Sequence, residues 1–68
     1  MNIGQAIIVL RKQKSLSQEK LAFESEISRH YMYELENNKS CPTVQTLEKI
    51  ANVLDIKVSE LIQKVESL

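Results

Sequence analysis

The sequence predicts an all-α fold, a compact domain of five helices. Apolar residues recur at spacings of three and four in separate stretches, the period of helices that bury one face. Ser17, Ser28 and Thr43 each stand just ahead of such a stretch, where a helix N-terminus needs a side-chain acceptor. No polar/apolar alternation persists between turn signals, so no strand is expected.

The first helix is expected from about Ile3 to Lys14. Ile3, Ile7 and Leu10 share a face, and Arg11, Lys12 and Lys14 place cations at the negative helix end. Gly4 reads as a permissive terminal residue without a function. The second helix opens at Ser17 and ends near Ser25. Leu16 and Leu21 fit a hydrophobic staple across its cap, Glu19 suits the positive end of the dipole, and Leu21, Ala22 and Phe23 form the buried stripe. The third helix opens at Ser28 and ends near Glu36 or Asn37. Ile27 and Met32 make a second staple, and Met32 and Leu35 point inward.

Residues 37–42 form a loop, since Asn tolerates left-handed conformations and Pro42 disfavours helix at Cys41. The fourth helix runs from about Thr43 to Leu54 with Val44, Leu47, Ile50, Ala51 and Leu54 as its stripe. The fifth covers about 58–66, with Val58, Leu61, Ile62, Val65 and Leu68 on one side.

The 68 residues make one domain, 1–68, and 43% apolar content suits a globular fold. Nine basic and nine acidic residues give zero formal net charge, whereas nucleic-acid binders usually carry a basic excess. The charge is uneven: residues 1–18 carry +3, residues 19–40 carry −2 and residues 41–68 carry −1. A single cysteine, Cys41, excludes an intramolecular disulfide and a metal site built on Cys pairs, and reads as a loop thiol. The apolar run Ala6–Leu10 is too short for a signal peptide, and nothing approaches the roughly 18 apolar residues of a membrane span. The expectation is a soluble, cytoplasmic protein that does not meet a membrane.

Residues 17–37 have the layout of a helix-turn-helix, whose second helix enters the DNA major groove. The turn, Ser25-Glu26-Ile27, needs one residue with positive φ. Glu26 stands there, at a cost of about 1 kcal/mol or slightly more relative to Gly. Arg29, His30, Tyr33 and Glu34 lie opposite Met32 and Leu35, because 29/33 and 30/34 are one turn apart. This face has no evident core role. Arg29 can bond guanine O6 and N7 together, Glu34 can accept from cytosine N4 while repelling phosphate, and His30 can donate to a purine acceptor.

Ile3-Gly4, Leu10-Arg11-Lys12, Leu16-Ser17-Gln18-Glu19-Lys20-Leu21-Ala22, Ile27-Ser28-Arg29, Tyr31-Met32, Leu35-Glu36-Asn37-Asn38-Lys39, Pro42-Thr43, Leu47, Ile50-Ala51, Leu54 and Val58-Ser59-Glu60-Leu61 together resemble the Cro/repressor-type (XRE-like) helix-turn-helix family. The resemblance covers roughly residues 3–62 and departs at Glu26 and Asn38, where glycine is usual or common. It implies a lambda-repressor-like DNA-binding domain. It also implies that Arg29, His30 and Glu34 reach base edges, with Tyr33 on the same face touching a base or the sugar-phosphate. Gln18, helped by the helix N-terminus, and Asn37, Lys39 and Tyr31 would contact the DNA backbone, with Tyr31 alternatively packing at the rim. Arg11 would pair with Glu36; as part of the basic run 11–14 it is equally open to phosphate contact.

One helix-turn-helix reads only a few base pairs, so the function expected is a transcriptional regulator that binds double-stranded DNA as a homodimer, with half-sites about 34 Å or a multiple apart. The fifth helix, through Val58, Leu61, Ile62, Val65 and Leu68, is the expected dimer interface, since Val65 and Leu68 have little left to bury against within one chain. The alternative is a protein-interaction module on the same fold without DNA, which the zero net charge favours. No enzyme is expected: Ser28 serves as a cap, and His30 has no second His or reactive Cys at helical spacing. No cofactor, metal or small-molecule ligand is expected either.

Overall fold

A computed structural model describes residues 2–67. Five helices follow one another: α1 (Ile3–Gln13), α2 (Gln18–Glu24), α3 (Arg29–Glu36), α4 (Val44–Val53) and α5 (Val58–Ser67). Among the described residues there is no strand, and no helix is long and apolar enough to cross a membrane.

Each start has a local cause. Asn2 Oδ1 accepts from the Gln5 N–H, Ser17 Oγ from Lys20 and Ser28 Oγ from Tyr31, all at 3.0 Å, and Thr43 Oγ1 accepts from Thr46 at 3.1 Å. These are side-chain caps on amides that lack an intrahelical partner. At α5 the Glu60 carboxylate reaches back to the Lys57 N–H at 3.0 Å, one half of a capping box.

The four stops between helices share one design. Ser15, Glu26, Asn38 and Asp55 have φ of 57°, 61°, 58° and 58°. Around each, the residue three past the end of the helix donates back across the last turn: Leu16 to the Arg11 carbonyl, Ile27 to Ala22, Lys39 to Glu34 and Ile56 to Ala51. This is the Schellman arrangement, and Leu16, Ile27 and Ile56 supply its apolar contact by packing on the core. None of the four left-handed residues is glycine; Ser15 and Glu26 each carry roughly 1–2 kcal/mol of backbone cost, and Asn38 and Asp55 less, because their short polar side chains tolerate this conformation.

Glycine is used elsewhere. A Cβ on Gly4 would run into the Glu36 carbonyl oxygen and sit 2.7 Å from that of Leu35. Gly4 is therefore the point where α1 crosses the end of α3 backbone to backbone, which corrects its reading as merely permissive. Its N–H donates to Asn38 Oδ1 at 3.1 Å, and Asn38 Nδ2 donates to Asn2 Oδ1 at 2.9 Å. The start of α1 is thereby pinned to the end of α3.

Ile7, Leu21, Met32, Leu35, Ile50, Leu54 and Leu61 are fully buried at the centre. Two stripe assignments need correction. Phe23 is 78% exposed and Val44 69% exposed, while Ser25 and Thr46 are buried. The inward line of α2 runs through 21, 22 and 25, and that of α4 through 46, 50 and 54, so 23 and 44 fall on the outer side. Thr46 shares a hydrogen bond with Thr43 at 3.0 Å. Ser25 Oγ is buried with no partner.

The fifth helix packs against α1 and α4. Leu61 is fully buried and Val65 is 6% exposed within this single chain. The expectation that Val65 has little to bury against is therefore corrected, and neither side chain is free to form a dimer interface. Val58 and Ile62 are half-buried. Leu68 lies outside the described residues.

Candidate functional site

The site is the outer face of α3, and a buried ion pair sets where that helix sits. Glu36, in its last turn, has a side chain only 3% exposed. Arg11 Nε donates to Glu36 Oε2 at 2.9 Å and Arg11 Nη2 to Oε1 at 3.2 Å, a bidentate pair. Arg11 Nη1 donates to the Leu16 carbonyl at 3.0 Å, and Gln18 Nε2 donates to Glu36 Oε1 at 3.0 Å. The Glu36 carboxylate thus ties α1 and α2 to α3, and Arg11 adds the connection between α1 and α2.

This geometry bears on two of the residues read from sequence. Arg11 does pair with Glu36, but its guanidinium is engaged on all three nitrogens inside the chain. Nη1 and Nη2 each keep one further N–H, on a side chain that is 13% exposed. Gln18, half-buried at the start of α2, spends one amide hydrogen on Glu36 and keeps the other.

The structure brings Arg29, His30, Tyr33 and Glu34 together on the side of α3 away from Met32 and Leu35. Arg29, His30 and Tyr33 are exposed and Glu34 is half-buried. Arg29 and His30 each have a carboxylate beside them. Arg29 Nη1 donates to Glu19 Oε2 at 3.3 Å, and His30 Nε2 lies 3.6 Å from Glu34 Oε2. Ser40 Oγ also donates to Glu34, at 3.3 Å. Lys39 Nζ stands 5.6 Å from the centre of the Tyr33 ring, within cation–π range. Asn37 Nδ2 donates to the Tyr33 carbonyl at 2.8 Å, closing the last turn of α3. Tyr31 is half-buried and packs on the core at the rim.

Glu19, Ser40 and the Asn2–Asn38 bond are additions to the residues read from sequence. Glu19 and Arg29 belong to different helices, so no helical spacing signals their contact. Asn38 did carry a signal, being a residue type that tolerates positive φ where glycine is common. Among the described residues no three His, Cys, Asp or Glu side chains gather as a metal ion would require.

A model of the helix-turn-helix family matches residues 7–61. The immunity repressor protein of Bacillus phage phi105 is 37% identical over 62 residues, covering 91% of this chain and 43% of that protein. The transcriptional regulator SinR of Bacillus subtilis is 36% identical over 63 residues, 91% of this chain and 57% of SinR. The chain thus spans about half the length of these two relatives. The crystal structure of SinR in complex with DNA superposes with a TM-score of 0.83 at 38% identity, covering 88% of this chain and 97% of that one. The restriction-modification controller protein C.AhdI from Aeromonas hydrophila superposes with a TM-score of 0.85 at 38% identity, covering 88% and 91%.

Proposed function

The chain belongs to the helix-turn-helix family, and from that premise we propose that it is a sequence-specific regulator of transcription, binding double-stranded DNA as a homodimer on a two-fold operator. The observation that carries this reading is the outward array on α3, held on a helix whose position is set by the buried Arg11–Glu36 pair. A reading helix has to be rigid at its base and polar at its surface, because a misplaced base-edge hydrogen bond is lost outright.

The roles follow from chemistry and position. Arg29 meets guanine through two N–H groups, His30 donates to a purine acceptor, and Glu34 accepts from cytosine N4. Tyr33 lies against a base or the sugar beside it. Lys39 and the uncommitted amide hydrogen of Gln18 meet phosphate oxygens, and Asn37 and Tyr31 flank them, which fixes register without reading sequence. The role is non-catalytic, and its place of action is the cytoplasm.

The two-fold partner docks through what α5 leaves uncovered. Val58 and Ile62 keep exposed apolar surface. Ile62 also borders an open groove of about 370 Å³ that Pro42 and Leu47 continue. Ile62→Glu is expected to convert the dimer to a folded monomer, read by sedimentation. Leu61→Glu is expected to unfold the chain, because that side chain is core.

Selection from a random duplex library at moderate salt tests the function. Enrichment of a two-fold motif with half-sites about 34 Å apart is expected. A folded protein that enriches nothing would overturn the proposal in favour of a protein partner.

A further inference from the structure

We propose that Glu19, on the first helix of the motif, is a positioning residue that determines specificity by holding one edge of the Arg29 guanidinium so that the other edge meets guanine. This rests on the DNA-binding reading above.

The contact spans the turn. Glu19 is the second residue of α2 and Arg29 the first of α3. The carboxylate takes Nη1 alone, at 3.3 Å, and among the described residues Nε and Nη2 have no protein acceptor. Those two nitrogens form one side of a planar fork, and two parallel N–H groups on one side are what guanine O6 and N7 require. Anchoring Nη1 therefore leaves the reading edge free and, in the complex, fixes the plane in which that edge is presented.

In solution the pair contributes little, since the two side chains are 69% and 72% exposed. Inside a groove, with water displaced, the same contact strengthens as the local dielectric falls. Its effect belongs to the complex and not to the free fold. Glu19 also adds a negative charge near the phosphates, which weakens binding to every sequence alike. A side chain that lowers general affinity while sharpening one base contact favours discrimination over strength.

The test is the affinity of the full chain, by fluorescence anisotropy, for its enriched duplex and for duplexes carrying each single base-pair change. The position read by Arg29 is the one whose preference disappears in Arg29→Ala. Glu19→Gln is expected to lower the guanine preference at that position by about threefold to tenfold, a share of the discrimination that a bidentate arginine contact supplies. Preferences elsewhere should stay as they are, and Glu19→Gln should change no preference when Arg29 is already Ala. Glu24→Gln removes an exposed charge from the same helix without touching Arg29 and should alter no base preference. An affinity change that is uniform over all base changes, or one of equal size in the Arg29→Ala background, would overturn the role of Glu19 and leave DNA recognition standing. A wild-type chain without any base preference would overturn both.

Discussion

Gly4→Ala is expected to destabilise the domain by about 2 kcal/mol or more, although alanine is the better helix former. The new methyl would lie 2.7 Å from the Leu35 carbonyl oxygen and closer still to that of Glu36. Ordinary contact begins at 3.4 Å, so α1 and α3 have to part by roughly 0.7 Å or more. The obstacles are backbone atoms of a packed helix and cannot swing aside. Overpacking of this kind costs about 1–3 kcal/mol. Separation also lengthens the Gly4 N–H to Asn38 Oδ1 bond of 3.1 Å, for roughly 1 kcal/mol more. Against this stands a helix-propensity gain of at most about 1 kcal/mol, reduced because Gly4 is in the first turn.

A net loss near 2 kcal/mol lowers Tm by roughly 8–16 °C in a domain this small. Thermal unfolding followed by circular dichroism reads it directly. Gln5→Ala, at the exposed neighbouring position, is the control and should leave Tm unchanged or slightly raised. A Tm of Gly4→Ala equal to or above the parent would refute the close crossing of α1 and α3.

Ser25→Ala should raise stability by about 1 kcal/mol, because the hydroxyl is buried without a partner; denaturant unfolding checks it, and a loss would mean that the hydroxyl is satisfied. Glu26→Gly should stabilise by roughly 0.5–1 kcal/mol, the relief of left-handed strain outweighing the added chain entropy, and an unchanged or lower denaturation midpoint would argue against strain at the turn. Glu36→Ala should cost about 3–5 kcal/mol by leaving the Arg11 guanidinium and the Gln18 amide without their acceptor. A stably folded Glu36→Ala protein with unchanged DNA affinity would separate that network from the placement of α3.

Much of the fold is legible in local chemistry. Ser17, Ser28 and Thr43 mark helix starts because a capping hydroxyl acts within three residues of itself. The turn at Glu26 is legible for the same reason, since one residue must reverse the chain there. What escapes local reading depends on which element lies opposite. Periodicity places Phe23 near the edge of a stripe but does not give the width of the buried face, which here stops at Ala22 and includes Ser25. Gly4 looks expendable until α3 is laid across it. Val65 looks unpartnered until α5 folds back onto α1. At the site, the positions of α3 follow from helical spacing, whereas the engagement of Arg11 on all its nitrogens and the Glu19–Arg29 contact arise only when three helices meet.

Whether α3 reads duplex DNA is tested most directly by titrating the enriched duplex, and a scrambled duplex of equal length, with the full chain over a range of salt. Affinity for the enriched duplex is expected to exceed that for the scrambled one at every salt concentration. With about four to six phosphates neutralised by a dimer, it should fall roughly a hundredfold to a thousandfold between about 50 and 200 mM salt, as counterions are released. Equal affinity for both duplexes, or binding indifferent to salt, would contradict recognition of DNA by this face.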